Sequence, residues 1–467
     1  MTSRTADPQL KTHNSKLITL FIPIAIFLFA LALRLWGIGW SLPYVVHPDE
    51  PVVVDTAISM IKRGSLDPNF FEYPSLFIYW QYALTNIWLL WQGLTHSGVT
   101  AANLPNSSHI YTLTPNLYIW GRAAEALLGA VGVVVMYWLA RRLFSLRVGL
   151  IAALLLAVSP FHSENSHYIE VDVMMWTLAC ITALLAYEVM ARGAGHRWLA
   201  FAAGLLGGLT TGAKYTGLAM LVMVGIGWLF SIRPRLFKHI GDRQFSLHTA
   251  VHYYGNRLDH PRDSVEQGAE PVPEVEAPLL NELGLYKLHQ YSIIIADAAI
   301  RLALILLGTA VGFIASTPYF ILNNTRFWQS YGKQANSYKP VGNFDEYWNT
   351  VSGYIDKLWT GEWFIIVPGV IGVGYLLLRD WRRGLLLGPF PFLYLLAVSY
   401  LGQTYPRNGY LSVVMLVLPA AYLLDALVGW LVRVVESRKL KVESRAHVNA
   451  PLRPASSPLY FSISTFI

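Results

Sequence analysis

Long apolar runs separated by short polar turns set the pattern of this chain. A membrane-spanning helix needs roughly 20 mostly apolar residues. Ten stretches meet or approach that length: 17–36, 117–140, 148–161, 172–190, 198–211, 216–232, 293–317, 363–379, 385–402 and 409–432. The pattern predicts an all-α, polytopic transmembrane bundle of ten spans. An eleventh apolar stretch, 74–94, differs in kind. It opens with Tyr73-Pro74 and carries Tyr79, Trp80, Tyr82, Trp88 and Trp91, amphipathic aromatics that favour the headgroup zone. It is predicted to be an interfacial or re-entrant helix.

Basic residues orient the bundle. They cluster at Arg4, Lys11 and Lys16, at Arg141, Arg142 and Arg147, and at Arg192 and Arg197. Further clusters are Arg233, Arg235, Lys238 and Arg243; Arg379, Arg382 and Arg383; and Arg433, Arg438, Lys439 and Lys441. All fall on one side if 74–94 does not cross, and an excess of Lys and Arg marks the cytoplasmic side. Both termini are then cytoplasmic, and the first span stays as an anchor rather than a cleaved signal. The outer surface holds 37–116, 162–171, the turn around Lys214, 318–362 and 403–408. A cytoplasmic insertion, 233–290, is rich in Pro and Glu from His260 to Glu282 and is expected to be a flexible loop there. Residues 1–432 form one module, and the tail 433–467 is expected to be disordered.

Composition narrows the class. Charged residues make up 13% and apolar ones 54%, against about 25% charged in a soluble domain. This excludes a secreted, disordered or nucleic-acid-binding protein. The single Cys180 excludes a disulfide framework. The formal charge of +7 follows the membrane orientation rather than an anionic partner.

Ionisable groups at membrane depth are expensive and tend to mark function. Four places on the outer face collect them. In His47-Pro48-Asp49-Glu50-Pro51 the paired carboxylates suit a general base or a divalent cation, or equally a helix cap. The turn from Ser159 to Asp172 holds His162, His167, Glu164, Glu170 and Asp172, which suit metal ligands or a second acid, or an exposed capped turn. Lys214, between glycines and followed by Tyr215, suits a phosphate, or snorkels to orient its turn. Arg407, in Tyr405-Pro406-Arg407-Asn408-Gly409-Tyr410, presents a planar fork suited to phosphate, or an interfacial anchor. Arg34, Arg122 and Arg301 are weaker versions of the same idea, as are Glu72 and Tyr73. Carboxylates and cations thus converge on one face, where a lipid phosphate is the economical anion.

The ordered set resembles the lipid-carrier-dependent glycosyltransferases of the GT-C superfamily, in the protein O-mannosyltransferase and aminoarabinose transferase-like branch. The resemblance runs from Leu33-Arg34-Leu35 and His47-Pro48-Asp49-Glu50 through Tyr73-Pro74, Ala140-Arg141-Arg142-Leu143-Phe144 and Ser159-Pro160-Phe161-His162 with Asp172. It continues through Lys214-Tyr215-Thr216-Gly217 and Thr317-Pro318-Tyr319 to Arg407–Tyr410 and Pro419. It implies a GT-C-type fold and a hexosyl- or pentosyltransferase. Such an enzyme moves a sugar, with inversion, from a polyprenyl- or dolichyl-phosphate carrier to a glycan, lipid or protein acceptor. The work would be done at the extracytoplasmic face of the plasma membrane. By this likeness Asp49 is the catalytic base with Glu50 beside it, and Asp172 is the second acid. Lys214, Arg407, Tyr215 and Arg34 meet the donor phosphate, with His47, Tyr73, His162, His167 and Glu170 nearby. The branch does not uniformly need a metal, so a divalent ion stays open and its ligands unassigned. The loop 318–362 is short for a lumenal domain, although Trp328, Tyr331, Tyr338, Tyr347, Trp348, Tyr354 and Trp359 suit stacking on sugar rings. The rival reading is a transporter or flippase of a lipid-linked or anionic solute, for which in-span Arg301 is the main support.

Overall fold

A computed structural model describes residues 8–106, 111–192, 196–232, 276–338 and 340–448. The chain divides into two compact units, Met1–Leu423 and Leu424–Ile467. Among the described residues the second unit is the latter part of one helix.

Helices make up nearly all of it. In order they are α1 (Pro8–Leu35), α2 (Asp49–Arg63), α3 (Leu76–Leu94), α4 (Pro115–Leu143), α5 (Leu146–Ala157), α6 (Pro160–Asn165), α7 (Val171–Arg192) and α8 (Arg197–Ala213). There follow α9 (Tyr215–Ile232), which opens as a 3₁₀ turn, and α10 (Glu276–Ser316). The series ends with α11 (Tyr319–Leu322), α12 (Asn324–Ser337), α13 (Phe344–Arg379), α14 (Trp381–Leu387), α15 (Pro389–Ser399) and α16 (Pro406–Val448). No strand occurs among the described residues, only an isolated bridge between Tyr44 and Tyr111.

Six of these, α4, α7, α9, α10, α13 and α16, contain stretches long and apolar enough to cross a membrane. The other predicted spans fall on α1, on α5 and α6, on α8, and on α14 and α15. The run 148–161 is broken at Val158, because Ser159-Pro160 starts a new turn. The run 385–402 is divided at Gly388-Pro389, where Pro389 takes the first turn of a new helix. The stretch 74–94 forms a single helix, α3, which is not among the six.

Two expectations are corrected. The centre of the insertion, 233–275, lies outside the described residues, but the part of the expected loop from Glu276 onward is the start of α10. The tail is helical as far as Val448. In both cases a charged segment adjoins a long apolar helix. Adding residues to an existing helix avoids the unfavourable nucleation step, so good helix formers such as Glu, Leu, Lys and Arg extend it.

The tightest pairing in the core joins α8 and α10. A Cβ on Gly204, Gly208 or Gly212 would run into Ile305, Thr309 or Ser316, and one on Gly308 or Gly312 would strike the α8 backbone at Phe201 or Leu205. Small residues four apart on both helices let the backbones meet, as in membrane helix pairs generally. That contact fixes the end of α8, where Lys214 sits.

Candidate functional site

The site forms where helix ends gather at one end of the bundle: the ends of α1, α5, α8 and α10 and the starts of α2, α4, α7 and α16. Local sequence explains each placement. Pro48 and Pro51 frame the start of α2, and Asp49 and Glu50 lie in its first turn, favourable to the helix dipole, without making a side-chain cap. Ser159 caps α6 by accepting from the His162 amide at 3.1 Å. Asp172 opens α7, and Arg407 and Asn408 open α16.

Four of the expected residues meet around one guanidinium. Arg407 Nη2 lies 2.8 Å from Asp49 Oδ2, and its Nη1 lies 3.2 Å from His47 Nε2 and 3.8 Å from Glu170 Oε2. His47 Nε2 is also 3.3 Å from Glu170 Oε2. This one nitrogen cannot accept from Arg407 and donate to Glu170 together, so whether Nε2 carries a proton selects its partner. Burial alone would favour the neutral ring, but the hydrogen bond and charge of Glu170, with Asp49, outweigh it and raise the His47 pKa. Tyr168 stacks on the imidazole at 4.7 Å and an interplanar angle of 23°. Glu170 is buried, and neither carboxylate oxygen has a hydrogen bond of good geometry.

A second pair adjoins the first. Lys214 Nζ donates to Asp172 Oδ1 at 2.7 Å and to Asn408 Oδ1 at 2.8 Å, all buried. Asp172 is two residues from Glu170, and Asn408 follows Arg407. Tyr73 completes this region: burial first, then the nearby charge of Asp49, raises its phenol pKa. Two of the three cations expected to meet a phosphate, Arg407 and Lys214, are therefore already matched to carboxylates.

Other expected residues lie apart. Glu50 turns away from Asp49 and is fully buried, receiving Arg122 Nε and Nη2 at 2.8 and 2.7 Å and the Ile169 amide at 3.1 Å. Successive helix residues point about 100° apart, so one acid faces Arg407 and the other the core. Arg34 is buried against His162 Nδ1 at 2.9 Å and the carbonyls of Ala30, Leu156 and Ala157. Burial, reinforced by Arg34, lowers the His162 pKa. Burial likewise lowers that of His167, whose Nε2 has no hydrogen-bond partner. Tyr215 donates to the Phe71 carbonyl at 2.9 Å and packs edge-on against Phe327 and Tyr331. Trp328 and Tyr331 join that aromatic cluster. Arg301 pairs with Asp297 one turn away and donates to Ser231, at the other end of the bundle from Lys214.

Several buried acids, Glu125, Glu188 and Glu362 among them, lay outside the sequence argument. Glu362, midway along α13, accepts from Ser159 Oγ at 2.7 Å and from the Phe161 amide at 3.0 Å, so it holds the start of α6. A Glu at the end of the outer loop, next to the apolar run 363–379, was its only signal.

His47, Asp49 and Glu170 offer ligand atoms within 4.8 Å of one another. One nitrogen and two carboxylates suit a divalent cation by donor type, and the oxygens of Glu170, neither of which accepts a hydrogen bond of good geometry, fit that role.

Residues 110–247 match the family described as dolichyl-phosphate-mannose-protein mannosyltransferase. No curated protein sequence matches the chain. Among solved structures, ArnT from Cupriavidus metallidurans in the apo state aligns with a TM-score of 0.51 at 16% identity, covering 88% of this chain and 60% of that one. ArnT bound to undecaprenyl phosphate aligns at a TM-score of 0.44 and 17% identity, covering 86% of this chain and 60% of that one. The apo oligosaccharyltransferase of Archaeoglobus fulgidus aligns at 0.46 and 13%, covering 93% and 52%. The chain thus spans about three-fifths of the length of the ArnT chain. The bundle has the GT-C fold, and the chain resembles GT-C glycosyltransferases.

Proposed function

We propose that this protein is an inverting glycosyltransferase that takes a hexose or pentose from a polyprenyl- or dolichyl-phosphate carrier and passes it to an acceptor. The work is done at the extracytoplasmic end of the bundle, in the plasma membrane. The observation that carries the reading is the joining of Asp49, Glu170 and Asp172 to Arg407 and Lys214 where apolar helices end. The family match over 110–247 points to the same class of donor.

In the reaction, Asp49 accepts the proton of an acceptor hydroxyl as its oxygen bonds to the anomeric carbon. The bond from that carbon to the phosphate oxygen breaks, and the lipid phosphate leaves with the electron pair. Arg407 and Lys214 stabilise the leaving charge. Because Arg407 holds Asp49 at 2.8 Å, a phosphate that draws Arg407 away also frees Asp49 to act as a base. Donor binding and base activation are coupled in this way. Glu50, engaged by Arg122, acts as a positioning residue. A divalent ion held by His47, Asp49 and Glu170 would add positive charge for the phosphate.

The test is release of sugar from a panel of radiolabelled polyprenyl-phosphate sugars by purified protein, with water as the default acceptor. Asp49→Asn is expected to abolish release while carrier binding persists. Lys214→Ala is expected to slow release by about 10²–10³, the usual effect of removing one charge-stabilising donor. Full activity of Asp49→Asn removes the base assignment. Binding without release from any donor, together with solute flux in liposomes, replaces the enzyme with a transporter.

A further inference from the structure

Beside Arg407 lies a cleft of about 150 Å³, most of whose lining the donor reaction does not use. Its aromatic surface comes from Phe161, Tyr168 and Tyr405, and Glu164 and Asn165 add polar groups. His47 and Arg407 also line it, so it opens directly onto the cluster that holds Asp49.

The aromatic groups are held in place before anything binds. Tyr168 is stacked on His47 at 4.7 Å, with the Arg122 guanidinium 5.8 Å from its ring centroid. Tyr405 lies 5.4 Å from the Arg407 guanidinium and is about half exposed. Phe161 packs against the paired rings of Tyr410 and Trp176. A rigid surface of this kind costs little conformational entropy on binding.

The polar groups point to the occupant's chemistry. Glu164 is exposed and makes no side-chain hydrogen bond or ion pair with a described residue. Asn165 donates its Nδ2 to the Phe161 carbonyl at 2.7 Å, which leaves its Oδ1 as an acceptor. The cleft's cation, Arg407, is already matched to Asp49. The cleft therefore presents hydrogen-bond acceptors and aromatic carbon, with no free positive charge. With Arg407 committed to Asp49 or to the donor phosphate, that combination disfavours a second anion. It suits a compact ring with C–H surfaces and several hydroxyl donors. An extended polypeptide would need a groove, whereas this cleft is small.

Resting on the transferase reading above, we infer that the cleft is the acceptor subsite and takes an uncharged terminal sugar ring of a glycan. The ring lies against Tyr405, gives hydroxyl hydrogen bonds to Glu164 and Asn165, and turns one further hydroxyl toward Asp49. That hydroxyl gives its proton to Asp49 as its oxygen bonds to the donor's anomeric carbon, and the lipid phosphate departs.

Saturation-transfer NMR on the full chain in nanodiscs tests this without turnover. The probes are methyl α-mannopyranoside, methyl β-glucopyranoside and methyl β-galactopyranoside, set against an N-acetylated Ser/Thr hexapeptide amide. At least one glycoside is expected to bind. Tyr405→Leu and Glu164→Gln, both at exposed side chains, are each expected to weaken it by roughly tenfold, the worth of one charge-assisted hydrogen bond or a comparable contact. Unchanged unfolding temperatures confirm that the variants fold. Glycoside binding unaltered in both variants overturns the assignment, as does no glycoside binding at all. Binding of the hexapeptide alone overturns it in favour of a polypeptide acceptor. Glycoside binding that both variants weaken, in a protein that releases sugar from no donor, leaves the sugar subsite standing and removes the transferase reading instead.

Discussion

Asp49 and Glu50 are chemically alike and adjacent, yet their environments assign them different work. Asp49 is paired with an accessible arginine, whereas Glu50 is fully buried under Arg122 and the Ile169 amide. Removing one partner of such a buried pair leaves the other charge uncompensated, at a cost of about 3–5 kcal/mol. Glu50→Ala is therefore expected to lower stability on that scale in denaturant unfolding, with Glu50→Met/Arg122→Met recovering a large part. Histidines supply a pH signature of opposite signs. The His47 pKa is raised above its ordinary 6.5, so its contribution is fully present below about 6.5 and is lost as pH rises through the folded-state value. The His162 pKa is lowered, so its contribution falls as pH drops below about 6.5, where only the unfolded chain takes up the proton. His47→Gln is expected to be most destabilising, relative to wild type, at the acid end of a melting series from pH 5 to 9. A difference that grows toward alkaline pH would contradict the His47–Glu170 pairing.

At the scale of elements, the fit of α8 to α10 governs where Lys214 stands. Gly208 meets the Thr309 carbonyl so closely that even one methyl group forces the helices apart. Gly208→Ala is expected to cost about 1–3 kcal/mol, the usual range for overpacking, and to reduce sugar release through a displaced Lys214. Gly225→Ala, at an α9 position with open space, serves as the control. Melting temperatures that fall equally in both variants would refute the role of the close approach. Apolar length and glycine spacing were both visible along the chain. Their partnership was not, because residues a hundred apart meet only in the folded bundle.

Over the whole molecule, charge separates the two ends. Arg142 and Arg192 pair with Glu188, and Arg197 pairs with Asp297, at the end opposite the candidate site. That distribution supports the proposed orientation, with α3 outside and not crossing. Thr100 is exposed just beyond α3, and the native Cys180 is buried. Thr100→Cys in intact cells is therefore expected to react with a membrane-impermeant maleimide from outside. Gly98 is less suitable, since its φ of +76° would strain any side chain. Labelling only after permeabilisation would invert the topology.

The sequence by itself determined the class of protein. Apolar runs demand helices where no water can satisfy backbone groups, basic clusters mark a side, and acids and cations at helix ends are too costly there to be incidental. Only the tertiary structure decided which of those groups meet. His47, Asp49, Glu170 and Arg407 come from three separated segments and meet through helix ends, whereas Glu50, Arg34 and His162 are turned into buried pairs of their own. A helix turns its neighbours about 100° apart, so adjacency along the chain carries no information about which face a side chain serves. Glu362 was hidden for the same reason: its partners, Ser159 and Phe161, lie some two hundred residues away.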